Sequence, residues 1–134
     1  SSKRFDFGNN SSSKYNLGWG DSYKASSLAE LSEAFDFDVN RNTVYINGEE
    51  AATVEDAEFE CEYPMAIFGC NTKGAVSPLA PSGSTIEWLK VYEGDALLFD
   101  FIPRKHLVDG YGLYDRVAKK FYPNAATSGA FTGA

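Results

Sequence analysis

The sequence predicts an all-β fold, built as an antiparallel β-sandwich. Phe35, Phe37 and Val39 alternate with Ala34, Asp36 and Asp38, so one face of this segment is apolar and the other acidic. Asn47-Gly48 separates two strand-like segments and favours the type I′ turn of a tight hairpin. Further short, aromatic-rich segments are separated by Gly and Pro, which is typical of sandwiches and jelly rolls.

The order of the expected strands follows from these signals. They cover residues 3–7, 15–20, 33–39, 43–46, 49–54, 58–60, 64–70, 85–93 and 96–102. Segment 26–31 fits a loop or the start of a helix. Segment 71–83 contains the breakers Gly74, Pro78 and Pro81, so we expect a long loop there. Pro103 lacks a donor N–H and should end its strand, whereas Gly112 should either adopt a positive φ or permit a close backbone approach.

Length, composition and charge restrict the possible classes of protein. The 134 residues, 43% of them hydrophobic, suit a single domain over 1–134 with its own core. The formal net charge of −7 disfavours nucleic acid, because an acidic protein repels phosphate backbones. No apolar run approaches the roughly 20 residues that a membrane-spanning helix needs. The start, Ser1-Ser2-Lys3-Arg4, is typical of a mature or trimmed end rather than of a signal peptide.

The last quarter of the chain is the most informative part of the sequence. It contains, in order, Asp100-Phe101-Ile102-Pro103, Gly112-Leu113-Tyr114-Asp115, Phe121-Tyr122-Pro123-Asn124 and Gly129-Ala130-Phe131-Thr132-Gly133. With segments 44–50, 64–71 and 86–93, this order resembles the concanavalin A-like (laminin-G-like) jelly-roll domains of bacterial surface and secreted proteins. The resemblance implies a jelly roll, a glycan or adhesive partner, and an extracellular, secreted or cell-surface location.

Two departures from the family pattern affect what the resemblance implies. Phe99 stands where the family usually has an Arg before the Asp of its "DFIP" motif. Such domains also usually carry strands before the point where this chain starts. We therefore expect a shortened variant, a jelly roll that lacks N-terminal strands, or one in which another segment or protein chain completes a sheet edge.

Catalytic groups are poorly represented in the sequence. Glycoside hydrolases of the concanavalin A-like fold carry alternating carboxylates, and Asp36 and Asp38 are the nearest match, roughly 7 Å apart by strand rise. Ala34 stands where the first carboxylate should be, so we interpret the two as a solvated polar face. His106, the only histidine, lies in a basic loop without a nucleophile motif. We therefore expect no enzyme activity, with a glycoside hydrolase as the weakest alternative.

Aromatic residues with polar neighbours indicate a carbohydrate site more strongly. A sugar ring stacks its C–H face on Trp or Tyr, while Asn or Asp side chains bind the hydroxyl groups. Trp19 lies between two glycines that leave the indole little local cover, and Trp88 shares a strand face with Lys90 and Tyr92. Ordinary packing of each Trp is the competing interpretation. The candidate ligand-binding residues are Trp19, Tyr23, Trp88, Asn71, Asp36 and Asp38.

Metal binding and cysteine pairing stay open at this point. Relatives of the resembling fold often bind calcium, yet Asp21, Asp36, Asp38, Asp95 and Asp109 are scattered, so no ligand set can be chosen. Cys61 and Cys70 form either a disulfide between adjacent strands or, as the count of two favours, two buried free thiols.

The function expected first is a non-catalytic carbohydrate-binding or adhesive module. The alternative is a structural or protein-interaction module that assembles or decorates a larger cell-surface or virus-particle protein. The expected core consists of Phe35, Phe37, Val44, Ile46, Ile67, Phe68, Leu89, Val91, Leu113 and Phe121.

Overall fold

The structure is a computed structural model that describes residues 4–9, 15–25, 34–67, 69–78, 85–125 and 131–133. Within these residues the chain is all-β without helix, and every strand pairing is antiparallel, which confirms the predicted fold class. Segment 26–31 and Phe68 lie outside the described residues. The chain divides into two compact units, Ser1–Pro64 and Met65–Ala134.

The first unit contains two three-stranded sheets. One sheet consists of β1 (Arg4–Asn9), β2 (Tyr15–Gly20) and β3 (Ser22–Ala25), and the other of β4 (Phe37–Asn40), β5 (Thr43–Ile46) and β6 (Glu49–Thr53). The turn between β5 and β6 has positive φ at both central residues, 49° at Asn47 and 84° at Gly48. Two positive φ values define the type I′ turn, so the predicted hairpin is confirmed.

Side chains from both sheets of the first unit form one core. Leu17 of β2 and Val44 of β5 are fully buried, and Ile46 and Ala52 join them. Val44 and Ile46 confirm the predicted core, and Phe35 packs against its margin. Phe37 is 40% exposed and rests on the Phe7 ring with centroids 4.7 Å apart, so its predicted core position is wrong. Among the described strands β4 pairs with β5 alone, which leaves its side chains less covered.

The second unit contains a hairpin and a four-stranded sheet. The hairpin is β7 (Gly69–Thr72) and β8 (Ala75–Pro78); the sheet is β9 (Leu89–Glu93), β10 (Ala96–His106), β11 (Gly110–Asp115) and β12 (Lys120–Tyr122). Their order is β12-β11-β10-β9, so β9 is an edge strand. The hairpin corrects the expected loop over 71–83. Its turn has φ values of 51° at Lys73 and 89° at Gly74, and lysine gives no sequence signal for a positive φ.

Other strand boundaries also differ from expectation. Residues 58–60 are not a strand, and the segment predicted over 64–70 becomes a strand only at Gly69. Ile67 is half-buried, as are Leu89, Val91, Leu113 and Phe121, whereas Phe101, which the predicted core omitted, is buried. Phe101 packs edge-on against Tyr122, with centroids 5.6 Å apart.

β10 continues past Pro103 to His106, so the prediction that Pro103 ends this strand is wrong. The Arg116 N–H donates to the Asp100 carbonyl at 2.9 Å, so these two residues form a hydrogen-bonded pair. Hydrogen-bonded and non-hydrogen-bonded pairs alternate from there along the β10–β11 ladder. Pro103, opposite Leu113, therefore falls at a pair whose nitrogens point away from β11. β9 pairs with β10 only as far as Phe101, so no strand in the described part of the chain lies opposite the missing donor.

Asp115 fixes the turn that follows β11. Its side chain is fully buried, and its carboxylate accepts backbone N–H groups from Asp100 and Val117 at 3.0 Å and from Ala118 at 3.2 Å. The bond from Asp100 is the main cause that holds the pKa of this carboxyl below its usual 3.8, against the opposing effect of burial. Gly112 shows the close approach expected of it, since a Cβ there would lie 2.7 Å from Cζ of Phe121.

Candidate functional site

One face of the four-stranded sheet in the second unit collects exposed aromatic and cationic side chains. Lys90 of β9 stands opposite Asp100 of β10, and Ile102 stands opposite Tyr114 of β11. Residues directly opposite in an antiparallel pair share a face, as do alternate residues along one strand. We call this surface, defined by Trp88, Lys90, Tyr92, Asp100, Arg104 and Tyr114, the aromatic–cationic face.

Trp88 and Tyr92 are its most exposed aromatic residues. Trp88, immediately before β9, is 49% exposed, and Tyr92 is 55% exposed. Lys90 lies between them on the same face, with Nζ 6.0 Å from the centroid of the Trp88 ring. Leu89 and Val91 alternate with them and are half-buried, which confirms the predicted division of this segment into two faces. Strand rise places the two rings roughly 13 Å apart.

A bidentate ion pair lies beside this aromatic pair. Arg116 donates from Nε to Oδ2 of Asp100 at 3.0 Å and from Nη2 to Oδ1 at 3.1 Å. The Asp100 side chain is only 13% exposed, whereas that of Arg116 is 51% exposed. Both ends of the pair therefore hold fixed orientations, and the guanidinium edge of Arg116 is accessible to solvent.

A second cation–aromatic pair lies further along β10. The Arg104 guanidinium lies over the Tyr114 ring, with Cζ 4.3 Å from the centroid. His106, two residues on, stacks on Phe121 with centroids 5.1 Å apart. Within the described residues, neither Lys90 nor Arg104 forms an ion pair with a carboxylate. Sequence inspection missed Arg104 and Tyr114, because only the β10–β11 register brings them to the face of Trp88.

Trp19, the other predicted aromatic platform, is packed within the first unit. Its Nε1–H donates to the Ala57 carbonyl at 2.8 Å, and Phe59 meets the indole edge-on with centroids 4.8 Å apart. Arg41 covers it further, with Cζ 5.6 Å from the ring centroid. The flanking glycines do not leave the indole uncovered. A Cβ at Gly20 would lie 3.2 Å from that of Ala57, so glycine here permits the close packing.

The other candidate ligand-binding residues of the first unit are exposed, or their side chains are not among those that the structure describes. Asp36 and Asp38 are both exposed, as expected of a solvated face. The Asn47 backbone N–H donates to the Asp36 carbonyl, and the Asp36 backbone N–H donates to the Asn47 Oδ1, both at 2.9 Å. Tyr23 is in β3, and its side chain lies outside the described part of the structure. The candidate residues are therefore divided between the two units.

Asn71 and Cys61 have defined local settings. The Asn71 Oδ1 accepts the Gly74 N–H at 3.0 Å, which corresponds to the turn-forming role that the sequence left open. Cys61 has an exposed, free thiol, so its expected burial is wrong; it lies in an irregular acidic segment without a strand to cover it. The side chain of Cys70 is not among those described.

Metal ligands do not gather in the described residues. No three His, Cys, Asp or Glu side chains in that part of the chain come together as a metal site would require. The carboxylates present thus give no observed support for the expected calcium site. Among the same residues, no helix is long and apolar enough to cross a membrane.

Comparison with protein-family models, with curated proteins and with solved structures finds no match for this chain. The resemblance to concanavalin A-like domains therefore stays a prediction from the motifs, and the case for function depends on the geometry of the two units.

Proposed function

We propose that this chain is a non-catalytic carbohydrate-binding or adhesive module of the concanavalin A-like type, and that its ligand lies on the aromatic–cationic face. The observation that carries the proposal is the exposure of Tyr92 on the edge strand β9 and of Trp88 immediately before that strand. Exposed rings that are held by a sheet stack on the C–H faces of sugars without rearrangement, because the strand fixes their positions.

The polar neighbours of these rings suit the hydroxyl rim of a sugar. Lys90 and the exposed guanidinium edge of Arg116 can donate hydrogen bonds to the hydroxyl oxygens. The separation of roughly 13 Å between Trp88 and Tyr92 exceeds a single sugar ring, so we expect an oligosaccharide or polysaccharide rather than a monosaccharide. The proposal includes no catalysis, and it places the domain on a cell surface or in a secreted protein.

A glycan array probed with and without calcium tests the proposal directly. We expect binding to one class of sugar, and we expect Trp88→Ala and Tyr92→Ala to weaken it about tenfold or more while leaving the melting temperature unchanged. Tyr63→Ala is the matched control, since Tyr63 is an exposed aromatic of the first unit, 41% accessible. A blank array from folded protein, or equal binding by all three variants, would contradict the proposal.

A second candidate function is self-assembly, which the tip of the β10–β11 hairpin favours. Leu107 is fully exposed and Val108 is 86% exposed, and Arg104 and Lys105 precede them. The His106 Nδ1 accepts the N–H groups of Val108 and Asp109 at 3.3 Å, so the tip holds a defined turn. An apolar tip preceded by two basic residues complements an acidic surface, and the first unit of a second copy of this chain is strongly acidic.

Sedimentation across a range of protein concentrations tests this second candidate. Self-assembly predicts association that high salt weakens and that a Leu107→Ser/Val108→Ser variant abolishes. The control is Leu98→Ser, which removes an exposed apolar side chain away from the tip, 41% accessible. A monomer at every concentration would overturn the assembly hypothesis and leave the carbohydrate proposal untouched.

A further inference from the structure

Charge is distributed unequally between the two units. Residues 1–64 carry 13 Asp and Glu against 5 Lys and Arg, a net charge of −8, whereas residues 65–134 carry 6 against 7, a net charge of +1. The unit that holds the aromatic–cationic face is therefore slightly basic within a chain of net charge −7. Because of this difference, the first unit repels an anionic ligand, whereas the second unit does not.

The cations of the aromatic–cationic face have no acidic partner among the residues that the structure describes. Asp100, the carboxylate nearest to Lys90 in the register, is bound by Arg116 through both oxygens. Lys90 and Arg104, both exposed, form no ion pair within the described ranges of the chain. Each is placed against a ring instead, at 6.0 Å from Trp88 and at 4.3 Å from Tyr114. A guanidinium that lies over a ring keeps its in-plane N–H groups available for an oxyanion.

We infer that the glycan bound by this face is anionic, with carboxylate or sulfate groups that Lys90 and Arg104 neutralise while Trp88 and Tyr92 stack on its rings. This inference rests on the proposed carbohydrate function and narrows its ligand class. The two cations lie on neighbouring strands, four residues apart along the register, or roughly 13 Å. That spacing requires a ligand with repeated acidic groups rather than a single charge.

Pairs of polysaccharides that differ only in charge test the ligand class. Oligogalacturonate is compared with its methyl ester for carboxylates, and dextran sulfate with dextran for sulfates, by titration calorimetry at low and high ionic strength. We expect the charged member of at least one pair to bind more tightly, and salt to weaken that binding. Lys90→Gln and Arg104→Gln should each weaken it about fivefold to tenfold.

Lys105→Gln is the matched control. Lys105 is the chain neighbour of Arg104, is exposed, and also lies near a ring, 5.5 Å from Tyr111, but it belongs to the opposite face. Unchanged affinity of this variant together with weakened Arg104→Gln supports the inference. Equal loss in both variants would indicate attraction to charge alone and would overturn it.

The remaining outcomes separate failure of the inference from failure of the function. Equal, salt-insensitive binding of neutral and charged polysaccharides that Trp88→Ala abolishes would overturn the anionic ligand and retain the carbohydrate module. No binding to any of the four polysaccharides, together with a blank glycan array, would overturn both. Melting curves of each variant establish that the protein is folded in every comparison.

Discussion

Trp19 and Trp88 show why residue type alone does not identify a binding residue. Both stand beside polar or glycine neighbours in the sequence, yet Trp88, immediately before β9, is exposed, whereas Trp19 is packed within β2. Trp19 uses its indole N–H internally, on a carbonyl 38 positions away along the chain. The sequence predicted the face of Trp88 from alternation in one strand, whereas the partner of Trp19 depends on a contact that no local pattern encodes.

The single residue Asp115 should make the stability of the fold depend on pH, because the pKa of its carboxyl is lowered. Because the folded pKa lies below the usual 3.8, the charged carboxylate stabilises the fold above that pH, and this contribution disappears as the pH falls through the folded pKa. Asp115→Asn keeps one acceptor oxygen but turns an NH2 group toward the Ala118 N–H. We expect the variant to melt several degrees below the wild type near neutral pH.

Thermal melting from neutral to strongly acidic pH checks this expectation. The difference between the wild type and Asp115→Asn should shrink as the pH falls from 3.8 through the lower pKa of the folded carboxyl, because Asp115 is then protonated and, like Asn, uncharged. Asp95→Asn is the control, because Asp95 is exposed in the turn between β9 and β10. A difference that stays constant over the whole range would show that the carboxylate charge is not involved.

Most strands of this protein pair as hairpins, and the composition of each turn explains whether the sequence could predict that hairpin. Asn47-Gly48 carries the composition that a type I′ turn prefers, so the β5–β6 hairpin was predicted with its turn type. Lys73-Gly74 forms the same kind of turn with a residue that seldom adopts a positive φ, and the β7–β8 hairpin was missed. This hairpin depends on the pairing of strands 69–72 and 75–78. Each strand is only four residues long, so its sequence pattern gives little indication of a strand.

Gly48→Ala tests how much the β5–β6 turn contributes to stability. A Cβ at Gly48 would meet no atom within 4 Å, so the cost comes from the positive φ alone, and we expect about 1 kcal/mol in urea unfolding. Gly8→Ala is the matched control, since its Cβ is equally free of neighbours and its φ is not positive. A loss of equal size in both variants would contradict the assignment of the cost to φ.

For the whole molecule, alternation and turn signals predicted the all-β class, but the overall composition did not predict the separation of charge. The net charge of −7 hides an acidic first unit and a nearly neutral second one. Glu58, Glu60 and Glu62 are exposed and extend the acidity along an irregular segment, whereas Phe59 between the first two is half-buried. The boundary between the units depends on contacts between distant segments. A count of charged residues over the full chain therefore could not show that the second unit suits an anionic ligand.

Repulsion among these carboxylates should make stability depend on salt. We expect the melting temperature to rise by a few degrees with added NaCl, because screening weakens like-charge repulsion. A Glu58→Gln/Glu60→Gln/Glu62→Gln variant should melt higher in low salt and respond less to NaCl. Differential scanning calorimetry across ionic strengths measures both effects, and a melting temperature that falls with salt would contradict the expectation.

Pro103 also has a consequence for aggregation. Past Phe101, no strand among the described residues pairs with β10 on its β9 side, and an unpaired strand edge can pair with the backbone of another molecule. The nitrogen that faces outward at residue 103 carries no hydrogen, so a foreign strand finds no donor at that point of the ladder. The proline therefore lets the hairpin extend from its sheet while it discourages edge-to-edge stacking of one molecule on the next.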